Sequence, residues 1–139
     1  MAKTIADTSV LVAFFDKNDS YNKWAIQQFR DLPKPFISCE AVVTETCFLL
    51  QHIHQGEQTF LSFIETGIIE IDFSFSNEIS EIKNLMKKYG DVPMSFADAC
   101  LARMSELHQH SSIFTLDSDF HIYRQFGKKE IPLIIPVEI

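Results

Sequence analysis

The sequence contains little glycine or proline: of its 139 residues, 4 are Gly and 5 are Pro. Aliphatic and aromatic residues are plentiful, and they include 13 Phe. This composition excludes a linker or a disordered segment and is typical of a compact globular protein. The length suits one domain with a sizeable core, so we predict a single domain over residues 1–139.

Long apolar runs are also missing, because no stretch approaches the roughly 18 apolar residues of a membrane span. The first residues show no secretory signal, and the longest early apolar run covers only residues 10–15. The three cysteines, Cys39, Cys47 and Cys100, form no Cys-x-x-Cys pair and lie in apolar sequence. We expect buried thiols in a reducing compartment, and therefore a cytoplasmic protein without membrane contact.

Basic residues are scarce as well: 12 Lys and Arg stand against 19 Asp and Glu, which gives a net charge of −7. This balance argues against a broad electrostatic binder of nucleic acid, whose signature is a basic patch. It is compatible with a metal-dependent nuclease, because cations bound to clustered carboxylates reverse the local field. An acidic surface also suits a basic protein partner.

Short extended runs alternate with helical patterns along the chain. The predicted strands cover residues 3–6, 36–38, 68–71, 112–116 and 133–135. After a turn at residues 7–9 and a short helix to Phe15, the predicted helices cover residues 21–31, 39–54, 57–65, 76–89, 95–108 and 120–126. This order predicts an α/β fold with a doubly wound parallel sheet of four to five strands flanked by helices. Active sites in such sheets form beyond the carboxyl ends of the strands.

Four acidic residues lie within apolar sequence: Asp7, Glu45, Asp98 and Asp117. Buried carboxylates are rare unless they are paired, hydrogen-bonded or bound to a cation. Asp7 and Asp117 fall at the carboxyl ends of predicted strands. Helical spacing places Glu45 and Asp98 on faces that we expect to turn inward. Because no nearby segment supplies a matching Lys or Arg, we predict that a divalent metal neutralises these acids if the fold brings them together.

Each acid also has an ordinary interpretation. Asp7 could cap the following helix, Asp98 could complete a capping box with Ser95, and Asp117 could be a turn residue. Glu45 could be an exposed helix position. Two acids at strand ends and two on inward helical faces together favour one site over four separate roles.

Two further patterns are less informative. The pairs His52/His54 and His108/His110 lie near predicted helix ends and have no Cys or His at zinc-site spacing, so we predict no zinc site. The phenylalanines of the middle segment are predicted to serve the core or a dimer interface rather than to stack on bases. They are Phe60, Phe63, Phe73 and Phe75.

The four acids occur in the segments IADTSVL (5–11), VTE (43–45), ADACLA (97–102) and TLDSDF (115–120). In this order and over this length, the segments resemble PIN-domain ribonucleases, in particular the VapC-like toxins of bacterial toxin–antitoxin pairs. The resemblance implies a PIN-like fold, hydrolysis of RNA phosphodiester bonds, and Mg²⁺ or Mn²⁺ as the cofactor. It also implies an antitoxin protein partner and a homodimer. The catalytic and metal-binding acids would be Asp7, Glu45, Asp98 and Asp117, with Asp119 as a further candidate ligand.

Within such a site we expect Asp7 and Asp98 to be the principal ligands, with Glu45 and Asp117 binding a second ion or orienting water. The hydroxyls of Thr8, Ser9 and Thr115 are expected to position the carboxylates. Two other functions stay open. One is a phosphatase of another doubly wound family, although residues 7–9 lack the Asp-x-Asp that one such family requires. The other is a non-catalytic PIN-like binding protein, which the presence of all four acids disfavours.

Overall fold

A computed structural model describes residues 2–139 of the chain. Within these residues the chain forms six helices and seven short strands, with two helices between each pair of successive strands up to β4. In chain order they are β1 (Lys3–Ala6), α1 (Thr8–Phe15), α2 (Asn22–Asp31), β2 (Phe36–Ser38), α3 (Glu40–Leu50), α4 (Gly56–Glu65), β3 (Ile69–Ile71), α5 (Ile79–Lys88), α6 (Phe96–Leu107), β4 (Ser111–Phe114), β5 (Arg124–Gln125), β6 (Lys129–Glu130) and β7 (Leu133–Ile134).

Five of the strands form a parallel sheet in the order β3-β2-β1-β4-β7. The chain first adds strands on one side of β1 and then crosses to β4 on the other side. Strand order therefore reverses between β1 and β4, and their carboxyl ends border the crevice where doubly wound sheets bind ligands. The predicted doubly wound parallel sheet is confirmed, with the larger of the two predicted strand numbers.

Apolar residues hold the central strand β1 and its neighbours β2 and β4 within the core. Ile5 of β1 pairs in register with Ile37 of β2 and Ile113 of β4, and all three side chains are buried. Phe36 and Phe114 pack nearby with ring centroids 5.9 Å apart. The core of the sheet is therefore built from a few large apolar side chains on short strands that also carry polar residues.

The predicted helix at residues 120–126 is wrong. Residues Ser118–His121 form a 3₁₀ turn, and β5 then pairs with β6 in an antiparallel ribbon. Phe126 and Gly127 both have positive φ angles, 50° and 77°, at the tip of this ribbon. The N–H of Lys128 donates to the carbonyl of Gln125 at 3.0 Å. Two consecutive left-handed residues give the tight turn that suits a hairpin and cannot continue a helix.

Other element boundaries differ from the predictions by smaller amounts. Helix α3 ends at Leu50 rather than near His54, and residues up to the left-handed Gln55 form tight turns. Residues Phe75–Glu78 form a 3₁₀ turn before α5. No helix in residues 2–139 is both long enough and apolar enough to cross a membrane. All three cysteines are free thiols; Cys39 and Cys100 are buried, whereas Cys47 is only partly buried.

Candidate active site

Asp7 is a buried acid at the carboxyl end of the central strand β1, with 5% of its surface exposed. Its Oδ1 accepts a hydrogen bond from the N–H of Thr8 at 2.7 Å, so it does cap α1. Its Oδ2 accepts bonds from the hydroxyls of Ser9 at 3.0 Å and Thr115 at 2.6 Å. Burial raises the pKa of Asp7 to about 6, although these three donors act to lower it.

The hydroxyls that hold Asp7 are themselves oriented by backbone amides after β4. The N–H of Leu116 donates to Ser9 Oγ at 2.9 Å, and the N–H of Asp117 donates to Thr115 Oγ1 at 2.9 Å. Because each hydroxyl oxygen accepts a hydrogen bond from a backbone amide, its proton can be donated to Asp7. The carboxylate is thus fixed by groups from both sides of the crevice between β1 and β4.

Glu45 reaches the same region from α3, where its Oε1 accepts a hydrogen bond from Thr8 Oγ1 at 2.7 Å. The expectation that Glu45 turns into the core is wrong, because Glu45 is exposed. The buried residues of α3 are Val42, Thr46 and Leu50, which recur at every fourth position. This stripe leaves Phe48 69% exposed and places Glu45 at the edge of the buried face.

Asp98 lies in the first turn of α6 and is partly buried. The N–H of Asp98 donates a hydrogen bond to Ser95 Oγ at 3.0 Å, and Ser95 thereby caps the helix. Its Oδ2 accepts a hydrogen bond from the hydroxyl of Tyr123 at 3.0 Å. Burial, followed by the charge of Asp7, raises the pKa of Asp98 to about 6, while the Tyr123 bond acts to lower it.

Asp117 follows β4 and caps the 3₁₀ turn, since its Oδ1 accepts from the N–H of Asp119 at 2.9 Å. The predicted turn role of Asp117 is therefore present in the structure. The same carboxylate is close enough to Asp7 and Asp98 for its charge to raise the pKa of both. Asp119, the further candidate ligand, lies within the same turn and is partly buried.

The acids therefore converge on one edge of the sheet. The charge of Asp117 raises the pKa of Asp7 and of Asp98, and the charge of Asp7 raises the pKa of Asp98. Glu45 is joined to this group through Thr8. Within residues 2–139, both arginine ion pairs belong to Arg103, which contacts Glu78 at 2.7 Å and Glu106 at 2.9 Å. Within the described residues, none of the four acids forms a salt bridge with a Lys, Arg or His side chain.

The donor set fits a hard divalent cation such as Mg²⁺ or Mn²⁺, because every candidate ligand is a carboxylate oxygen. No group of three or more His, Cys, Asp or Glu side chains in the described chain is arranged closely enough to enclose an ion. Mg²⁺ commonly binds through one or two carboxylates and keeps several waters. The open arrangement therefore suits a hydrated ion better than a closed structural site.

Tyr123 is the site residue that the sequence did not reveal. It is fully buried, packs against Phe120 and Tyr89, and is tied to Asp98. Burial raises the pKa of its hydroxyl, so Tyr123 remains a donor. Because the sequence predicted a helix at 120–126, nothing in the local pattern placed Tyr123 beside an acid that lies 25 residues earlier.

Comparison with known proteins agrees with this geometry. The family model of the PIN domain matches residues 4–125. A search of curated proteins found no match. Among solved structures, the crystal structure of VapC20 from Mycobacterium tuberculosis, a Sarcin-Ricin loop cleaving toxin, is similar with a TM-score of 0.80. The identity is 16%, and the match covers 91% of this chain and 99% of that chain. At this identity the likeness shows a shared fold.

Proposed function

The chain belongs to the PIN-domain family, and on that premise we propose that it is a single-domain, metal-dependent endoribonuclease. The observation that carries the proposal is the crowding of Asp7, Asp98 and Asp117, with Glu45 beside them, at the strand-order reversal. Desolvated carboxylates that repel one another cost free energy, and folds keep them where a cation or a reaction uses them. A phosphatase of another doubly wound family loses its support with the family match.

In this proposal Asp7 and Asp98 are the principal ligands of Mg²⁺ or Mn²⁺, and Glu45, Asp117 and Asp119 complete the site. When bound, the ion would polarise the phosphate and make a water more acidic. The protein's own part is positional. Three donors fix Asp7, Thr8 holds one oxygen of Glu45, and Tyr123 holds one oxygen of Asp98. Each carboxylate is thereby oriented before the substrate arrives, which avoids reorganisation during the reaction.

The biological role that we propose is the toxin component of a toxin–antitoxin pair. It rests on the similarity in fold to VapC20, a Sarcin-Ricin loop cleaving toxin. We accordingly propose RNA as the substrate, an antitoxin as the protein partner, action in the cytoplasm and a homodimeric state. Exposed apolar side chains such as Phe48 and Leu49 offer surface for such contacts.

Cleavage of a panel of structured RNAs tests the activity. The purified protein is assayed with Mn²⁺ or Mg²⁺, with EDTA, and as the variants Asp98→Asn and Asp91→Asn. Asp98→Asn keeps the side-chain shape and removes the charge, so we expect it to be inactive but folded. Asp91 is exposed in the loop before α6, and its variant serves as the matched control.

The two variants separate the outcomes. Metal-dependent cutting by the wild type and Asp91→Asn, absent in EDTA and in Asp98→Asn, would support the proposal. Full activity of Asp98→Asn would overturn the site assignment. Metal binding by calorimetry without cleavage of any RNA would favour the non-catalytic binding protein instead.

A further inference from the structure

An apolar cavity of about 400 Å³ opens beside the acid cluster. Thr44 and Glu45 of α3 line one side, and Ala97, the neighbour of Asp98, lines another. The thiols of Cys39 and Cys100, each 1% exposed, belong to its lining as well. The cavity therefore borders the proposed catalytic site at Glu45. Its volume falls within the roughly 300–1,000 Å³ of small-molecule pockets.

Aromatic rings form the rest of this lining. Phe75 is 49% exposed and Phe96 is 38% exposed, and their rings meet edge to face with centroids 5.7 Å apart. Phe73 joins them and is partly buried. The prediction that the middle phenylalanines serve the core is confirmed for Phe60, which is fully buried. Phe75 differs, because it leaves apolar ring surface facing a cavity.

We propose that this cavity, which we call the Phe pocket, binds an unpaired nucleobase of the RNA next to the cleaved phosphate. The inference rests on the proposed nuclease function and adds to it a site for the base. Proteins read unpaired RNA bases by stacking them on aromatic side chains. Because the two rings are perpendicular, a flat base that stacks on the face of one would meet the edge of the other and would cover exposed surface of both. Its phosphate would lie toward Asp98.

The polar part of the lining indicates which bases fit. Glu40 and Glu45 both line the Phe pocket. Carboxylates accept hydrogen bonds and do not donate them. Adenine, guanine and cytosine each present an amino group that such an acceptor can use. Uracil presents one N–H between two carbonyl oxygens, which a carboxylate repels, so uracil is the disfavoured base.

Titration of the full chain with nucleosides in EDTA tests the pocket without metal or cleavage. Backbone amide NMR signals of Ala41, Thr44 and Ala97 report occupancy. Adenosine, guanosine and cytidine are expected to give saturable shifts of these signals, uridine severalfold weaker binding, and ribose 5-phosphate none. Phe96→Ala should weaken nucleoside binding about tenfold, as for loss of one stacking partner.

Phe126→Ala is the matched control, because Phe126 is an exposed phenylalanine of the turn between β5 and β6 that does not line the pocket. It should bind nucleosides as the wild type does. Phe75→Ala provides a second pocket variant if Phe96→Ala does not fold, and it should show a loss of the same order.

The outcomes distinguish this inference from the proposed function. Cleavage of RNA by a protein whose pocket signals ignore nucleosides would overturn the Phe pocket and leave the nuclease intact. Shifts that ribose 5-phosphate reproduces, or that both pocket variants retain, would overturn it as well. If nucleosides leave the pocket signals unchanged but a bound protein partner shifts them, the Phe pocket would be assigned to that partner instead. Nucleoside binding by a protein that cleaves no RNA would support the pocket and count against the nuclease.

Discussion

Thr115 Oγ1 donates a hydrogen bond to Asp7 Oδ2 across 2.6 Å and accepts one from the N–H of Asp117 at 2.9 Å. One hydroxyl thereby joins the acid that follows β1 to the acid that follows β4. Thr115 is fully buried, so water cannot replace either bond without a rearrangement. This side chain therefore links the two carboxyl ends that border the site.

Thr115→Val should destabilise the protein by about 2 kcal/mol, because it leaves a buried amide and a buried carboxylate each short of a partner. Urea denaturation at pH 7 measures the change. Thr66→Val is the control, since the Thr66 hydroxyl is exposed and bonds only within its own helix. The control should change the free energy of unfolding by less than about 0.5 kcal/mol. Equal losses in both variants would refute the linking role of Thr115.

Tyr123→Phe should weaken metal binding at neutral pH by about tenfold, in line with other changes to groups that hold metal ligands. The variant keeps the buried ring and removes the donor that lowers the pKa of Asp98. A higher Asp98 pKa leaves less carboxylate at a given pH, so the loss should shrink as the pH rises. Calorimetric titration with Mn²⁺ from pH 6 to 8.5 measures this.

Tyr89→Phe is the control for that experiment. The Tyr89 hydroxyl accepts from the N–H of Arg124 at 2.9 Å, and its ring packs on Tyr123 without contact to Asp98 in the structure. It should bind Mn²⁺ as the wild type does at every pH. A Tyr123→Phe deficit that stays constant across the pH range would speak for a packing effect alone.

Much of the fold was predictable because each strand of the parallel sheet holds one or two Ile, Leu or Phe residues and the helices carry strong boundary signals. Ser95 before α6 and the two prolines before β2 are examples, and the five-strand sheet followed from the alternation. The ribbon after residue 121 was missed since its turn depends on Phe126 adopting a positive φ, which a non-glycine residue rarely does. The spacing of apolar residues in the sequence does not indicate this backbone conformation of Phe126.

The candidate site was predictable in part. Acids at strand ends could be placed by the topology rule alone, and the hydroxyls of Thr8, Ser9 and Thr115 do contact Asp7 or Glu45. The orientation of Glu45 was not predictable, because apolar and polar residues of α3 do not separate onto opposite faces. Thr46 is buried whereas Phe48 and Leu49 are exposed, so the pattern does not identify the buried stripe.

Thr46→Val should stabilise the protein by about 1 kcal/mol. Thr46 is fully buried on α3, and its hydroxyl has no hydrogen-bond partner within residues 2–139. Valine has nearly the same shape and removes the cost of an unsatisfied buried hydroxyl. Thermal and urea unfolding measure the gain, with Thr44→Val on the exposed side of the same helix as the control. A loss of stability would indicate that the Thr46 hydroxyl holds a buried water.

The metal-free protein should lose stability through Asp7 as the pH rises through about 6. The folded-state pKa of Asp7 is about 6, against an ordinary value of 3.8. Between these two values the folded state binds more protons than the unfolded state, so the free energy of unfolding falls with increasing pH. Above pH 6 the penalty is complete, and for Asp7 it is on the order of 3 kcal/mol. Ionisation of Asp98 lowers the free energy of unfolding in the same way but by less, because Asp98 is partly exposed and solvent screens its charge.

Urea unfolding in EDTA from pH 4 to 7.5 tests this through the difference between Asp7→Asn and the wild type. Asparagine cannot ionise, so the variant should be the more stable protein at pH 7.5, and the two should converge toward pH 4. Asp31→Asn, at the exposed end of α2, should follow the wild-type curve. Mn²⁺ added at pH 7.5 should raise the melting temperature of the wild type and not of Asp7→Asn, because a cation offsets the same penalty. Parallel curves for Asp7→Asn and the wild type would mean that Asp7 is not a strained carboxylate, and the metal site would lose its physical basis.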